Sequence, residues 1–472
     1  MTDTGGLRAK AVQGAVWSGF SSIVLRAGSL VVGIVLARLL TPDQFGAFAV
    51  ALTVQTILMT VADLGLSADL VRTEEPERIA PTIASLALIC GTITSVTTML
   101  ASPWLARLLG SAEATSAIAI LSLTLFLAGV SMVPYAMLLR GFQQRELFWI
   151  GCADFVVYTA VTLTLVGLGF GIVGMAIGRV AAQTIASALQ FAFARIRPKF
   201  AIDRTILRPV LAYSLPIAAA NLIAWALLNV DNVVLARMAG VTALGYYVLA
   251  FNIASWPMNA LSQVVRSIAL PYFSRSDEAS DDLAKVTAVG WALSLPVSGL
   301  LAALSAPLIE VVYGTKWLPA APVLAAFGIY GALRVVLDVA TGFLYSRGSS
   351  RPVLWIQIIW LLALIGGMVW VTPRFGIAGA AWVHVVVTVV VIAPAYLVAL
   401  RRSGVRVGGL ARSMLWPTVA AGPAIAAAIV IGTTLTDPLI ALLLGGAVAS
   451  LLYLAIMWRW VQREVRQLRA LN

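Results

Sequence analysis

Residues 35–51, VLARLLTPDQFGAFAVA, return without a gap at 234–250 as VLARMAGVTALGYYVLA. The alignment sets Arg38 on Arg237 and Gly46 on Gly245. Three more matches follow in the same order: SPWLARLLG (102–110) with APLIEVVYG (306–314), LLRGFQQRELFW (138–149) with LYSRGSSRPVLW (344–355), and FGIVGMA (170–176) with FGIAGAA (375–381). The offsets of 199, 204, 206 and 205 residues hardly drift. Collinear self-similarity at one long period marks a structural unit written twice.

Composition says what that unit is made of. Of 472 residues 61% are hydrophobic and only 11% are charged, with a mean hydropathy of +0.96. Soluble domains are about a quarter charged, so this is an all-α polytopic membrane protein. Apolar runs near the ~20 residues that cross a bilayer recur throughout. Spans are expected at about 15–37, 44–65, 79–101, 114–138, 148–168, 171–194, 210–235, 244–269, 286–309, 320–345, 353–372, 376–399, 412–433 and 438–458, fourteen in all. Each repeat holds six. An even number returns the chain to its starting side, so the copies share one orientation and relate by a pseudo-twofold along the membrane normal, a transporter plan with substrate between the halves. The expected organisation is a lobe at 1–195, a basic linker at 196–209, a second lobe at 210–400, and two additional helices with a basic tail at 401–472.

The formal net charge is +12. Most Lys and Arg fall on one side of this topology; the other side holds only Arg38, Arg107, Arg237, Lys316 and Arg374. That bias places both termini in the cytoplasm. It accounts for the basic balance without nucleic acid, which no soluble Lys/Arg stripe supports. Cys90 and Cys152 lie inside apolar runs and read as packing residues. The first apolar run is full length without a small-residue cleavage site, so it reads as a retained span.

VLARLLTPDQFGAFAVA, with ADLGLSADLVR (62–72) and LLRGFQQRELFW, resembles the polysaccharide-exporter branch of the multidrug/oligosaccharidyl-lipid/polysaccharide superfamily. The resemblance covers about residues 7–400. It implies a V-shaped, two-lobed MATE-like bundle that alternates between inward- and outward-open states. The implied cargo is an oligosaccharide on undecaprenyl diphosphate, in contact with membrane lipids. A polysaccharide polymerase and glycosyltransferases of the same pathway are the expected protein partners. The lipid II flippase of this superfamily also has fourteen spans and a cationic cavity.

Ionisable groups inside spans cost about 2.5–3.5 kcal/mol each at the centre on insertion scales and need a reason. The candidates are Arg26, Asp154, Arg179, Asp231, Arg266, Arg334, Asp338 and His384. Arg334 and Asp338, four residues apart, share a helix face and could pair or serve separately. Asp154 and Arg179 are on consecutive antiparallel spans but differ in depth by about six residues, roughly 9 Å, so a pair between them is stretched. Arg266 could snorkel to the interface or contact cargo. His384, opposite Arg179 in the repeat, could be a packing residue or carry a coupling proton.

Arg26 stands apart: it is about eleven residues from each end of its span, with no acid at its depth in spans 1 or 2. A guanidinium there suits a hydrated cavity and a diphosphate, whose oxygens it engages as a fork. Arg26, Arg266, Arg334, Arg179, Asn229 and Asn232 form the expected diphosphate and cavity set. Asp231, Asp338, Asp154 and His384 are candidates for ion coupling. Pro216, Pro257 and Pro296 would bend spans 7 to 9.

The expected function is therefore translocation of a lipid-linked oligosaccharide by alternating access. The alternative is a multidrug/cation antiporter of the same superfamily, which needs unpaired acid in its cavity; span 1 has none. Catalysis is not expected, since no Gly-rich nucleotide loop or metal-ligand cluster occurs and no outer loop could house acid–base machinery. No cofactor or metal is implied.

Overall fold

The computed structural model describes residues 25–73, 75–197, 199–273 and 279–469. Among them the chain is helical from end to end, without strands. Helix α1 occupies 25–39 of the described residues, so the start of the first expected span lies outside them. It is followed by α2 (Pro42–Asp63), α3 (Leu66–Arg72), α4 (Pro76–Leu108), α5 (Ala114–Leu121), α6 (Leu123–Arg140), α7 (Gln144–Gly167), α8 (Gly171–Ala194) and α9 (Arg204–Met238). Then come α10 (Val241–Phe273), α11 (Ala279–Ala303), α12 (Ser305–Tyr313), a 3-10 turn, α13 (Ala321–Ser346), α14 (Ser350–Val387), a π turn, α15 (Ala393–Arg402), α16 (Val407–Thr434) and α17 (Pro438–Arg469). Eleven segments among the described residues are long and apolar enough to cross a membrane. One of them, Ser350–Arg402, breaks at Gly376, whose φ of 61° no α-helix admits, and so divides where two expected spans meet.

The local reasons are legible in the TPDQ of the opening motif. Thr41 Oγ1 accepts the Gln44 amide (3.3 Å) while Gln44 Oε1 accepts the Thr41 amide (3.1 Å), and Pro42 stands at the first helical position. This is a capping box with proline where its missing N–H costs nothing. The repeat is visible in the backbone as well. Gly110 and Gly314 both take positive φ, 73° and 98°. So do Gly171 and Gly376, at 50° and 61°. Phe142 and Gly348, aligned in the third match, are also both left-handed, at 52° and 71°. Equivalent turns at equivalent positions are what duplication of one unit predicts.

Two compact units emerge, 1–245 and 246–472. In the first, α7 packs on α8, α4 and α6 pack on each other and lie against α2 and α5, and α6 also lies against α8. Small residues let backbones close in: a Cβ on Gly129 would lie 3.2 Å from the Ala87 carbonyl carbon, and one on Gly178 3.1 Å from the Thr162 amide. Such small-residue contacts are how helices associate where lipid removes the hydrophobic drive. The opening motif has its own close contact. A Cβ on Gly46 would come within 2.8 Å of the Val241 carbonyl carbon, and one on Gly245 within 3.1 Å of that of Pro42. Asp43 and Thr242, equivalent in the repeat, are joined by a side-chain hydrogen bond. Repeat-equivalent residues thus meet reciprocally, as across a local twofold. By sequence α9 opens the second repeat; by packing it lies on α2, α3 and α4.

In the second unit α11 is flanked by α13, α16 and α17. Tyr453 Oη donates to the Ala292 carbonyl (2.8 Å), and Trp291 Nε1 to Thr418 Oγ1 (2.8 Å). The two helices beyond the repeat are therefore anchored on α11. Cys90 and Cys152 are free thiols, half-buried.

Candidate functional site

Arg26 is exposed on α1. Its place on the helix is informative. Leu30, Gly33 and Ala37, at i+4, i+7 and i+11, run from half-buried to fully buried, whereas Val31, Val35 and Leu39 form a separate exposed apolar stripe. The 3.6-residue period puts Arg26 on the stripe shared with Ala37 rather than on the apolar one. The opposite face, where Gly28 precedes Val31, Val35 and Leu39, meets α7 at its start: a Cβ on Gly28 would strike the Phe155 ring at 2.6 Å. Among the described residues the Arg26 guanidinium has no ion-pair partner. The side chain of Arg266 lies outside the described residues.

Other expected site residues are engaged by neighbours. Arg179 reaches Asp154 at 3.1 and 3.5 Å, an ion pair between α8 and α7. The depth offset that made this pair look stretched is closed by the long guanidinium arm. Asn232 donates to Thr53 Oγ1 of α2 (3.4 Å), and the buried Asp231 accepts the Asn232 amide (2.9 Å). Asn229 donates to the Trp225 carbonyl one turn back (2.9 Å). The four-residue spacing of Arg334 and Asp338 does not produce an ion pair between them; both are half-buried, and Asp338 engages other groups. A helical spacing brings two side chains to one face, and neighbouring elements then decide which partner each takes.

His384 is buried in the second unit. Its Nε2 lies 3.0 Å from Tyr247 Oη, and its ring meets those of Phe327 and Tyr330 edge-on, at 5.4 and 5.3 Å. His384 thus sits in an aromatic box with one polar contact.

The first unit contains a cavity of about 460 Å³ that the sequence reading did not anticipate. Its walls come from α2, α3, α6, α8 and α9, and its polar lining includes Asp63, Tyr135, Gln183, Gln190, Asn221 and Trp225. Asp63 closes α2, just before Leu64 and Gly65 turn left-handed (φ 47° and 71°) and the chain restarts as α3. A Cβ on Gly65 would meet the Ser214 carbonyl at 2.7 Å, so glycine lets α9 come this close to the break. Ser67 Oγ donates to Asp63 Oδ2 (3.2 Å). Gln190 is only 8% exposed, and among the described residues no protein group hydrogen-bonds its amide. The signal for this cavity was periodic: Thr56, Thr60 and Asp63 on α2, Gln183 and Gln190 on α8, and Asn221 and Trp225 on α9 recur at helical spacing within apolar runs. The sequence pointed to asparagines on α9, Asn221 among them, but formal charge elsewhere drew the reading past the amides of α8 and the hydroxyls of α2. Among the described residues no cluster of His, Cys, Asp and Glu could hold a metal.

Comparison with known proteins adds what geometry alone does not carry. A family model described as "Polysaccharide biosynthesis protein" matches residues 35–322, more than half of the chain. The lipopolysaccharide biosynthesis protein WzxC of Escherichia coli K12 is 26% identical over 342 residues, 70% of this chain and 68% of that protein. The succinoglycan biosynthesis transport protein ExoT of Rhizobium meliloti is 28% identical, covering 71% and 69%. Among solved structures, the lipid II flippase MurJ in an inward closed conformation superposes with a TM-score of 0.75 at 14% identity, over 96% of this chain and all of that one. An inward-facing MATE family multidrug transporter superposes at 0.61 with 15% identity, over 86% and 98%. At such identity the superpositions speak to fold: this is a multi-pass helical membrane protein of the MATE-like architecture.

Proposed function

This chain belongs to the polysaccharide biosynthesis protein family, and we propose that it is a flippase moving an oligosaccharide on undecaprenyl diphosphate across the cytoplasmic membrane by alternating access. The match to proteins named for lipopolysaccharide biosynthesis and succinoglycan transport supports this reading. On it the protein performs no catalysis, both termini face the cytoplasm, and the cargo comes from glycosyltransferases and leaves to a polymerase. The lobes are 1–195 and 210–400, with 401–472 an addition to the repeat.

Arg26 holds the diphosphate. What supports that role is its stripe on α1, aligned with Leu30, Gly33 and Ala37 and away from Val31, Val35 and Leu39, together with a guanidinium unneutralised by any described acid. A permanent charge deep in a span is tolerable in water and costly in acyl chains. In water it offers two parallel N–H donors to phosphate oxygens. Arg179 is already committed to Asp154 and plays a supporting part at most.

Extraction of lipids from a strain lacking the protein tests the class: undecaprenyl-diphosphate-linked sugar should accumulate in the cell. Restoring Arg26→Ala should leave that accumulation in place at normal membrane abundance, and Arg26→Lys should relieve it in part, since lysine keeps the charge without the fork. Full relief by Arg26→Ala removes the phosphate contact. Unchanged lipid-linked sugar with heightened sensitivity to cationic dyes points instead to the antiporter.

A further inference from the structure

The flippase reading names a cargo with a charged end and a neutral, hydroxyl-rich end, and the cavity of the first unit has the chemistry of the second. We propose that it seats one neutral sugar residue of the cargo, with Trp225 as a stacking face and Asp63 and Gln190 as hydrogen-bonding groups. The inference deepens that reading and rests on it.

Four observations converge. The cavity's volume, about 460 Å³, lies in the range of small-molecule sites. Its lining mixes donors and acceptors on five helices: a carboxylate, two glutamine amides, an asparagine and hydroxyls. A sugar hydroxyl both donates and accepts, so it can satisfy such a mixture where a purely apolar lipid chain could not. Gln190 is buried against the cavity without a protein partner among the described residues. Its amide is therefore free to bond whatever enters the cavity. Finally, Trp225 and Asn221 are exposed on the α9 wall, which makes an aromatic face available at the opening.

Charge narrows the ligand further. Asp63 is the only ionisable acid or base among the lining residues apart from the Tyr135 phenol, and no Lys or Arg is among them. A phosphate or a uronate would face that carboxylate across a poorly screened space. The diphosphate therefore belongs elsewhere, at Arg26 in our reading, and the cavity selects a neutral residue. Ser67 pins one oxygen of the Asp63 carboxylate, which orients the group towards the hydroxyls of a pyranose. Asp63 is at the C-terminal end of α2. With the N-terminus in the cytoplasm that end is cytoplasmic, the side from which cargo loads.

The test uses the full chain in lipid nanodiscs and saturation-transfer NMR with four probes: methyl β-glucoside, methyl β-galactoside, methyl β-glucuronide and tetramethylammonium. At least one neutral glycoside should bind, with the glucuronide about tenfold weaker or worse. Asp63→Asn should weaken the neutral ligand about tenfold, the loss expected for a hydrogen bond to a charged group. It should also bring the glucuronide closer to the neutral probe, a gain that misfolding cannot mimic. Trp225→Ala should lose saturation transfer to the sugar ring protons, and Trp225→Phe should keep it. The proposal is overturned by silence from both neutral probes, by unchanged binding in Asp63→Asn, or by preference for the glucuronide or for tetramethylammonium. Failure of the flippase reading shows separately, as unchanged lipid-linked sugar in the deletion strain, and leaves the measured glycoside affinities as they are.

Discussion

Replacing Gly46 by alanine should be among the more damaging single-methyl additions in this protein. The new carbon would sit within 2.8 Å of the Val241 carbonyl carbon, closer still to its oxygen, and 3.0 Å from the Gly245 amide nitrogen. All three are backbone atoms of α10, so no side chain can rotate away. Relief requires the two helices to part by about an ångström, and overpacking of this kind costs about 1–3 kcal/mol. The backbone contact with Gly245 puts Gly46→Ala at the upper end, offset by about 1 kcal/mol of improved helix propensity. Gly33→Ala is the matched control: it gains the same propensity, and a Cβ there meets nothing within 4 Å. Thermal unfolding of the detergent-solubilised protein should therefore show Gly46→Ala melting several degrees below wild type, on the scale of ~2–4 °C per kcal/mol for a unit of this size. Gly33→Ala should melt at or slightly above wild type. Because Gly245 faces Gly46 reciprocally, Gly46→Ala and Gly245→Ala together should lose less than the sum of their separate losses. A Gly46→Ala protein as stable as Gly33→Ala would refute the close crossing of α2 and α10.

The Arg179–Asp154 pair should behave as a coupled unit. Arg179→Ala leaves the partly buried Asp154 without its partner and should cost about 1 kcal/mol, a figure held low because the guanidinium is about a third exposed; adding Asp154→Ala should recover part of the loss, and simple additivity in melting temperature would exclude the pair. At the head of α9, outside the membrane, the Asp203 carboxyl is held below its ordinary pKa, first by the Thr205 hydroxyl (2.6 Å) and then by the Thr205 amide (2.8 Å). A depressed carboxylate contributes its stabilisation above the unfolded value and loses it as pH falls through the folded value. Hydrogen exchange at the Thr205 amide should therefore accelerate on acidification below about pH 4, and Asp203→Ala should exchange fast at every pH.

Much of the fold could be read from spacing. The gapless repeat at 35–51 and 234–250 set Gly46 on Gly245, which the structure brings into reciprocal contact, and FGIVGMA against FGIAGAA set Gly171 on Gly376, which share a positive φ. The capping box in TPDQ emerged only with the helix it starts. The site was less legible. Arg26 was visible because a lone charge in an apolar run stands out in one dimension. The Arg179–Asp154 pair depended on how far a guanidinium arm can reach, and the Arg334–Asp338 spacing on partners contributed by other helices. Asp63, Gln183, Gln190 and Trp225 are scattered over some 160 residues, and none is unusual in its own span.

The amino-acid sequence by itself settled that this chain lives in a membrane and that it is built from a duplicated helical unit; it did not show the breaks near Ser122, Leu304 and Thr388 inside expected spans. The two settled properties depend on hydropathy and periodicity, which act over a few residues at a time. Only the tertiary structure decided that five helices leave a polar space beside Asp63, that α9 packs with the helices of the first repeat, and that Arg179 is neutralised while Arg26 has no described partner. Such outcomes depend on which faces meet and how closely. Small residues such as Gly46, Gly65 and Gly129 control that approach only once the partner helix is in place.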